Sequence, residues 1–277
     1  MTSLMFRGRR PVVPAPRRAT LDCRFERIES GAVFTITRPD RLNALNRVVW
    51  DGLESCLDAV ERDGTRFLLI TAEGERAFSA GSDLKDNAIE TWDQQARKND
   101  RIRNLLLRLS QSPLFTIAAM NGTAFGGGLE LALACTVRTA VKSATFAMPE
   151  IRLGVMPTYG GTQFLPAVIG RSRAAELMLT GRVLDAQEAL MWGLVSFVKE
   201  DRIALLEHAI ALGTEVAGFS AIAYQSILDC LPPTDGPADQ AGMDREAALM
   251  RRVLETDDAK EGIAAFLAKR RPVFKGL

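Results

Sequence analysis

The chain of 277 residues contains a single histidine, His208. A Ser-His-Asp triad needs a histidine beside its nucleophile and a multi-histidine zinc site needs several, so this scarcity nearly excludes both. His208 lies in an apolar, helical segment, Ile203 to Leu212 (IALLEHAIAL), which favours a packing or surface role. Proton transfer therefore falls mainly to carboxylates. Cysteine is also sparse: Cys23, Cys56, Cys135 and Cys230 are widely spaced with no CxxC pair, and read as reduced thiols of a cytoplasmic protein. Charge nearly cancels, at +1, which removes any bulk signal for nucleic acid. No apolar run reaches the length of a membrane span, so a soluble protein is expected. Acidic residues are absent before Asp22, where Arg7, Arg9, Arg10, Arg17 and Arg18 mix with Pro11, Pro14 and Pro16; residues 1–20 read as a disordered basic extension.

A hydrophobic content of 47% provides a substantial core. Strands are predicted near Phe25 to Ile28, Ala32 to Thr37, Phe67 to Thr71, Leu114 to Ala119, Thr136 to Val141 and Val195 to Val198, with helices such as Val48 to Arg62 and Gln94 to Ser110 between them. From about Ala204 onward the pattern is helical, and the class is α/β.

Three segments carry chemistry. Asn121 to Glu130 (NGTAFGGGLE) follows an apolar strand and opens a helix, so its glycines serve either close packing or, through open N–H groups at a helix N-terminus, an anion or oxyanion. Gly126, Gly127 and Gly128 lack the spacing of a dinucleotide fingerprint, and no Gly-Lys-Ser/Thr follows to make a phosphate loop. Ala77 to Asp86 (AFSAGSDLKD) is a second small-residue loop after a buried strand. In Phe146 to Gly161 (FAMPEIRLGVMPTYGG), Glu150 stands between apolar residues ahead of a glycine-rich loop.

Thr35 to Asn46, Phe78 to Asp86, Asn121 to Glu130, Pro149 to Gln163, Leu179 to Leu194 and Asp257 to Lys275 make six ordered motifs, and from about Leu21 onward the chain resembles the enoyl-CoA hydratase/isomerase (crotonase) family. The resemblance implies a spiral of ββα units over residues 21–203 and a helical C-terminal region, 204–277, that drives trimer or hexamer formation. It implies an acyl-CoA thioester as substrate and no separate cofactor, because coenzyme A is part of that substrate. The backbone N–H groups of Ser82 and Gly127 would bind the thioester oxygen; a hydroxyl nucleophile at Ser82 is the competing reading. Glu130 and Glu150 match the carboxylate pair of the family's hydratases, Glu130 as base toward water and Glu150 as acid toward the α-carbon. Outside that resemblance, Glu130 reads as a charge favouring the helix dipole and Glu150 as an exposed loop residue.

The coenzyme would be met near Arg41 to Ala44, Ala80, and Ser82 to Lys85 (Ser82, Asp83, Leu84, Lys85), with Phe266 and Lys269 reaching from a neighbouring subunit. Thr158 and Tyr159 replace two small residues common in relatives, and Tyr159 is either an acyl-pocket residue or a packed loop aromatic. Trp92, within Asn87 to Asn99, falls where relatives form part of that pocket. The function implied is hydration of a 2-enoyl-CoA or its reversal. Isomerase or hydrolase chemistry that uses mainly Glu150, and acyl-CoA binding without catalysis, are the alternatives.

Overall fold

Apolar runs and amphipathic helices alternate along the chain and fold into two sheets with helices around them. The computed structural model describes residues 22–83, 91–231 and 239–276. In chain order the strands are β1 (Cys23–Ile28), β2 (Gly31–Ile36), β3 (Phe67–Ala72), β4 (Ala77–Ser79), β5 (Phe115–Met120), β6 (Thr123–Phe125), β7 (Val137–Val141), β8 (Thr145–Ala147), β9 (Leu184–Asp185) and β10 (Phe197–Lys199). The helices are α1 (Arg47–Val60), α2 (Trp92–Ser110), α3 (Gly127–Leu133), α4 (Gly161–Ile169), α5 (Arg171–Thr180), α6 (Ala186–Met191), α7 (Arg202–Ala217), α8 (Ala221–Cys230), α9 (Gln240–Glu255) and α10 (Asp257–Leu267).

The larger sheet has the order β1-β2-β3-β5-β7-β10, with an antiparallel β1–β2 hairpin and parallel pairing beyond it. Every residue of β3 and β5 is buried, which explains why FLLITA and FTIAAM read as continuous apolar runs rather than alternating ones. The smaller sheet runs β4-β6-β8-β9. Along the chain, β3 and β4, β5 and β6, and β7 and β8 each place one strand in each sheet before the chain turns away, which is the repeated ββ unit of a spiral.

All six expected strands belong to the larger sheet, displaced by no more than two residues at their ends. No strand of the smaller sheet was expected, because each is only two or three residues long and shows no period.

Among the described residues six helix starts are capped by side chains, at Asn46, Thr91, Asp185, Asp201, Asp239 and Thr256. The Asn46 carboxamide accepts from the Val49 N–H at 3.1 Å ahead of α1, and Thr91 with Gln94 forms a capping box ahead of α2. One face of α1, with Val49, Trp50, Leu53, Cys56, Leu57 and Val60, is buried against the β1–β2 hairpin. Helix α7 lies across β3, β5 and β7 with Leu205 and Ala209 in the core. On β7, the buried Arg138 guanidinium donates to the carbonyls of Leu194 and Cys135, each at 2.8 Å, so its polar demand is met by backbone. Helices α8 to α10 complete a C-terminal helical region that leaves Ile227, Met243, Met250, Leu254, Ile263 and Phe266 exposed.

Candidate active site

Three short strands of the smaller sheet lead directly into the three segments singled out by sequence. After β4 the chain reaches Ser82, after β6 the glycine turn and Glu130, and after β8 Glu150. Since β4, β6 and β8 are neighbours, residues far apart in sequence converge at one end of this sheet.

Hydrogen bonding orients the first loop. The Leu45 N–H donates to the Gly81 carbonyl at 2.8 Å and the Asp83 N–H donates to the Leu45 carbonyl at 3.1 Å, an isolated parallel bridge centred on Ser82. In such a bridge the central residue's own N–H is turned to the opposite side. Gly127 is the first residue of α3, where an N–H has no partner one turn earlier. The two loops meet closely because Gly81 carries no side chain: a Cβ on it, at φ +95°, would lie 2.9 Å from the Phe125 carbonyl oxygen and 3.3 Å from the Gly127 nitrogen.

Glu130, in the first turn of α3, is 2% exposed. Its Oε1 accepts from the N–H groups of Tyr159 at 2.8 Å and Gly161 at 2.7 Å. Burial pushes this carboxyl up to about 7, against the downward pull of those two N–H bonds, and the charge of Glu150 adds to the rise. Glu150 opens a short 3-10 turn, Glu150–Leu153, closed by Gly154 at φ +71°. Burial raises its pKa as well, and its Oε2 is buried with no hydrogen-bond partner among the described residues. A Cβ on Gly126 would come 2.8 Å from Glu150 Oε1. The glycine turn thus has Glu150 against Gly126 and Glu130 in the helix that it opens, two desolvated carboxyls, one of them titrating near neutrality, near the Ser82 and Gly127 backbone. That arrangement can move a proton and hold a developing oxyanion in one place.

Tyr159 joins these parts. Its phenol hydrogen-bonds Ser82 Oγ at 2.9 Å, its ring stands edge-on to Trp50 with centroids 5.7 Å apart, and its backbone serves Glu130. Trp50 was missed in the sequence. Its signal was its place in the apolar stripe of α1, which marks core without distinguishing a residue that also borders a site.

The remaining expected residues are more scattered. Arg41 and Ala80 are exposed, and the Ala80 N–H donates to the Leu42 carbonyl at 2.9 Å. The Ala44 carbonyl accepts from Arg38, whose guanidinium also pairs with the Asp83 carboxylate at 3.0 Å. Leu84 and Lys85 lie outside the described residues. Trp92 is 86% exposed at the start of α2, and Phe266 is 82% exposed near the C-terminus of α10, with Lys269 at φ +53° just beyond it. His208 packs edge-on against Phe197, centroids 4.5 Å apart, and burial, then Lys199, lowers its pKa.

Residues 26–277 match the family model described as Enoyl-CoA hydratase/isomerase. A probable enoyl-CoA hydratase of Bacillus subtilis (strain 168) is 40% identical over 247 residues, covering 88% of this chain and 95% of the relative. The 2,3-dehydroadipyl-CoA hydratase of Escherichia coli (strain K12) is 39% identical over 244 residues, covering 88% and 94%. Among solved structures, an enoyl-CoA hydratase from Bacillus anthracis superposes with a TM-score of 0.87 at 34% identity, over 92% of this chain and all of the other.

Proposed function

Since the chain belongs to the enoyl-CoA hydratase/isomerase family, we propose that it catalyses hydration of a 2-enoyl-CoA thioester to a 3-hydroxyacyl-CoA, or the reverse dehydration. The observation that carries this reading is the pair of desolvated carboxyls, Glu150 against Gly126 of the glycine turn and Glu130 in the first turn of the helix that it opens.

The thioester oxygen is received by the N–H groups of Ser82 and Gly127, which are fixed before reaction and stabilise the enolate oxyanion without reorganising. In other oxyanion holes, loss of one such donor raises the barrier by about 3 kcal/mol. Glu130 takes a proton from water as the water oxygen bonds to the β-carbon, and Glu150 delivers a proton to the α-carbon. Glu130 ends protonated and Glu150 ionised, and exchange with solvent restores the pair. A base poised near 7 suits this step at neutral pH. In the competent state Glu130 is ionised and Glu150 carries the proton that it delivers. Coenzyme A enters as part of the substrate, its nucleotide end meeting the Arg41 to Ala44 segment, Ala80, Asp83, Leu84 and Lys85. A neighbouring protomer adds Phe266 and Lys269. The exposed apolar residues of α8 to α10 fit burial between copies in a trimer or hexamer. Free thiols at all four cysteines suit a reducing cytoplasm.

The test is hydration of crotonyl-CoA by purified protein, followed by loss of the conjugated enoyl absorbance and by product mass. Glu130→Gln and Glu150→Gln should each lower kcat by about 10²-fold or more, the usual share of general acid–base catalysis. Wild-type rates in both variants would overturn the assignment. A second reading has one observation in its favour: Glu130 is anchored by two backbone N–H groups, whereas Glu150 keeps an unpartnered oxygen. Were Glu130 only structural, Glu150 alone would shuttle the proton of a double-bond isomerase, and a product of unchanged mass would identify that reaction.

A further inference from the structure

We infer that Tyr159 is the specificity-determining residue of the acyl slot: its ring, latched by the Ser82 hydroxyl and braced by Trp50, walls the side of the slot next to Gly127 and selects short acyl chains over long ones. The inference rests on the reading of Ser82 and Gly127 as the thioester-oxygen donors.

The two glycines of the turn open toward different groups. At Gly126 the missing side chain makes room for the Glu150 carboxylate. At Gly127 it makes room for Tyr159, since a Cβ there would lie 3.0 and 3.1 Å from Cε2 and Cδ2 of the ring and 3.4 Å from Ser82 Oγ. An acyl group whose carbonyl oxygen sits at the Gly127 N–H and whose β-carbon faces the glutamates must therefore run past this ring. The ring is not a loose flap. Tyr159 is 4% exposed and its phenol is bonded to Ser82 at 2.9 Å. The edge-on contact with Trp50, itself 3% exposed, blocks retreat toward α1. Its backbone is fixed by the N–H bond to Glu130. Swinging the ring aside would break the phenol bond and the Trp50 contact together, which is a cost that a long acyl chain incurs and a short one does not.

The experiment compares affinity for butanoyl-CoA and decanoyl-CoA by titration calorimetry in the wild type, Tyr159→Ala and Ser82→Ala, alongside crotonyl-CoA hydration. Both probes are saturated, so the binding ratio needs no turnover. The wild type should favour butanoyl-CoA, Tyr159→Ala should shift the ratio at least tenfold toward decanoyl-CoA, and Ser82→Ala, which only unlatches the ring, should shift it by a smaller factor in the same direction. A ratio unchanged in both variants overturns the inference, even where crotonyl-CoA is hydrated. A shifted ratio in a protein that hydrates nothing upholds the wall and overturns the hydratase reading instead. Should Tyr159→Ala fail to fold, Ser82→Ala and Tyr159→Phe decide the matter, both removing the latch at little cost in volume.

Discussion

Replacing Gly126 by alanine should damage catalysis more than folding. The added methyl would stand 2.8 Å from Glu150 Oε1, so the carboxylate must retreat by about half an ångström to reach ordinary contact. That atom is the far end of a flexible side chain, so the clash itself is cheaply relieved. The main structural cost is the backbone, held at φ +49° and ψ −124°, where a residue with a Cβ is strained by about 1–3 kcal/mol. A domain stable by about 5–15 kcal/mol survives that. Catalysis is less forgiving, because a displacement of about 1 Å at a reacting group can cost 10²-fold, and half of that predicts roughly a tenfold loss in kcat. Gly128 provides the contrast: a methyl there would meet the Ser79 carbonyl oxygen at 2.5 Å and Ser79 Cβ at 2.7 Å, with no flexible end to give way. Gly128→Ala should therefore lower the urea midpoint by more than Gly126→Ala. Crotonyl-CoA kinetics and urea unfolding on both variants form the assay. Wild-type kcat in Gly126→Ala, with Glu150→Gln impaired, would refute the claim that the glycine positions this carboxylate.

The remaining expectations concern charge. Hydration should show an acid limb of kcat/KM that rises through about 7 as Glu130 ionises; a flat profile across pH 6–8 would contradict this. Stability carries the opposite sign. The folded pKa of Glu130 lies above the unfolded value, so the folded state binds more protons and stability falls as pH rises from about 4.5 toward 7, by roughly 3 kcal/mol for the whole shift. Glu130→Gln should flatten that decline in urea midpoints measured over the same range, and an unaltered slope would count against the burial argument. Arg138→Met removes both donors to the Leu194 and Cys135 carbonyls and should destabilise by about 1–3 kcal/mol without changing KM, as thermal unfolding and kinetics together would reveal.

What the sequence disclosed follows from segment length. Strands such as FLLITA, six residues long and wholly apolar, announce themselves, whereas AFS, TAF and TFA are too short for any period, so the smaller sheet stayed hidden although it holds the site together. The glycine turn was legible because a glycine run is a local signal, whereas Glu130 and Glu150 stood out only through the resemblance of their motifs, since alone they read as a helix-dipole charge and an exposed loop residue. Pairings such as Tyr159 with Ser82, 77 positions away, were not legible, since side-chain contacts across folded loops leave no trace in spacing. Trp50 illustrates the same limit: its helix position foretold burial but not its neighbour.

The order β4, β6, β8 in the smaller sheet acts as a ruler. Successive rungs of a sheet are held about 4.8 Å apart by main-chain hydrogen bonds, whatever side chains they carry. Ser82, the glycine turn with Glu130, and Glu150 each hang from the end of one rung, so their spacing belongs to the peptide backbone. Side chains at the rung ends can then be exchanged one at a time without disturbing the measure between them. New chemistry on such a frame is reached by changing what each rung carries, while the pitch between the rung ends stays fixed.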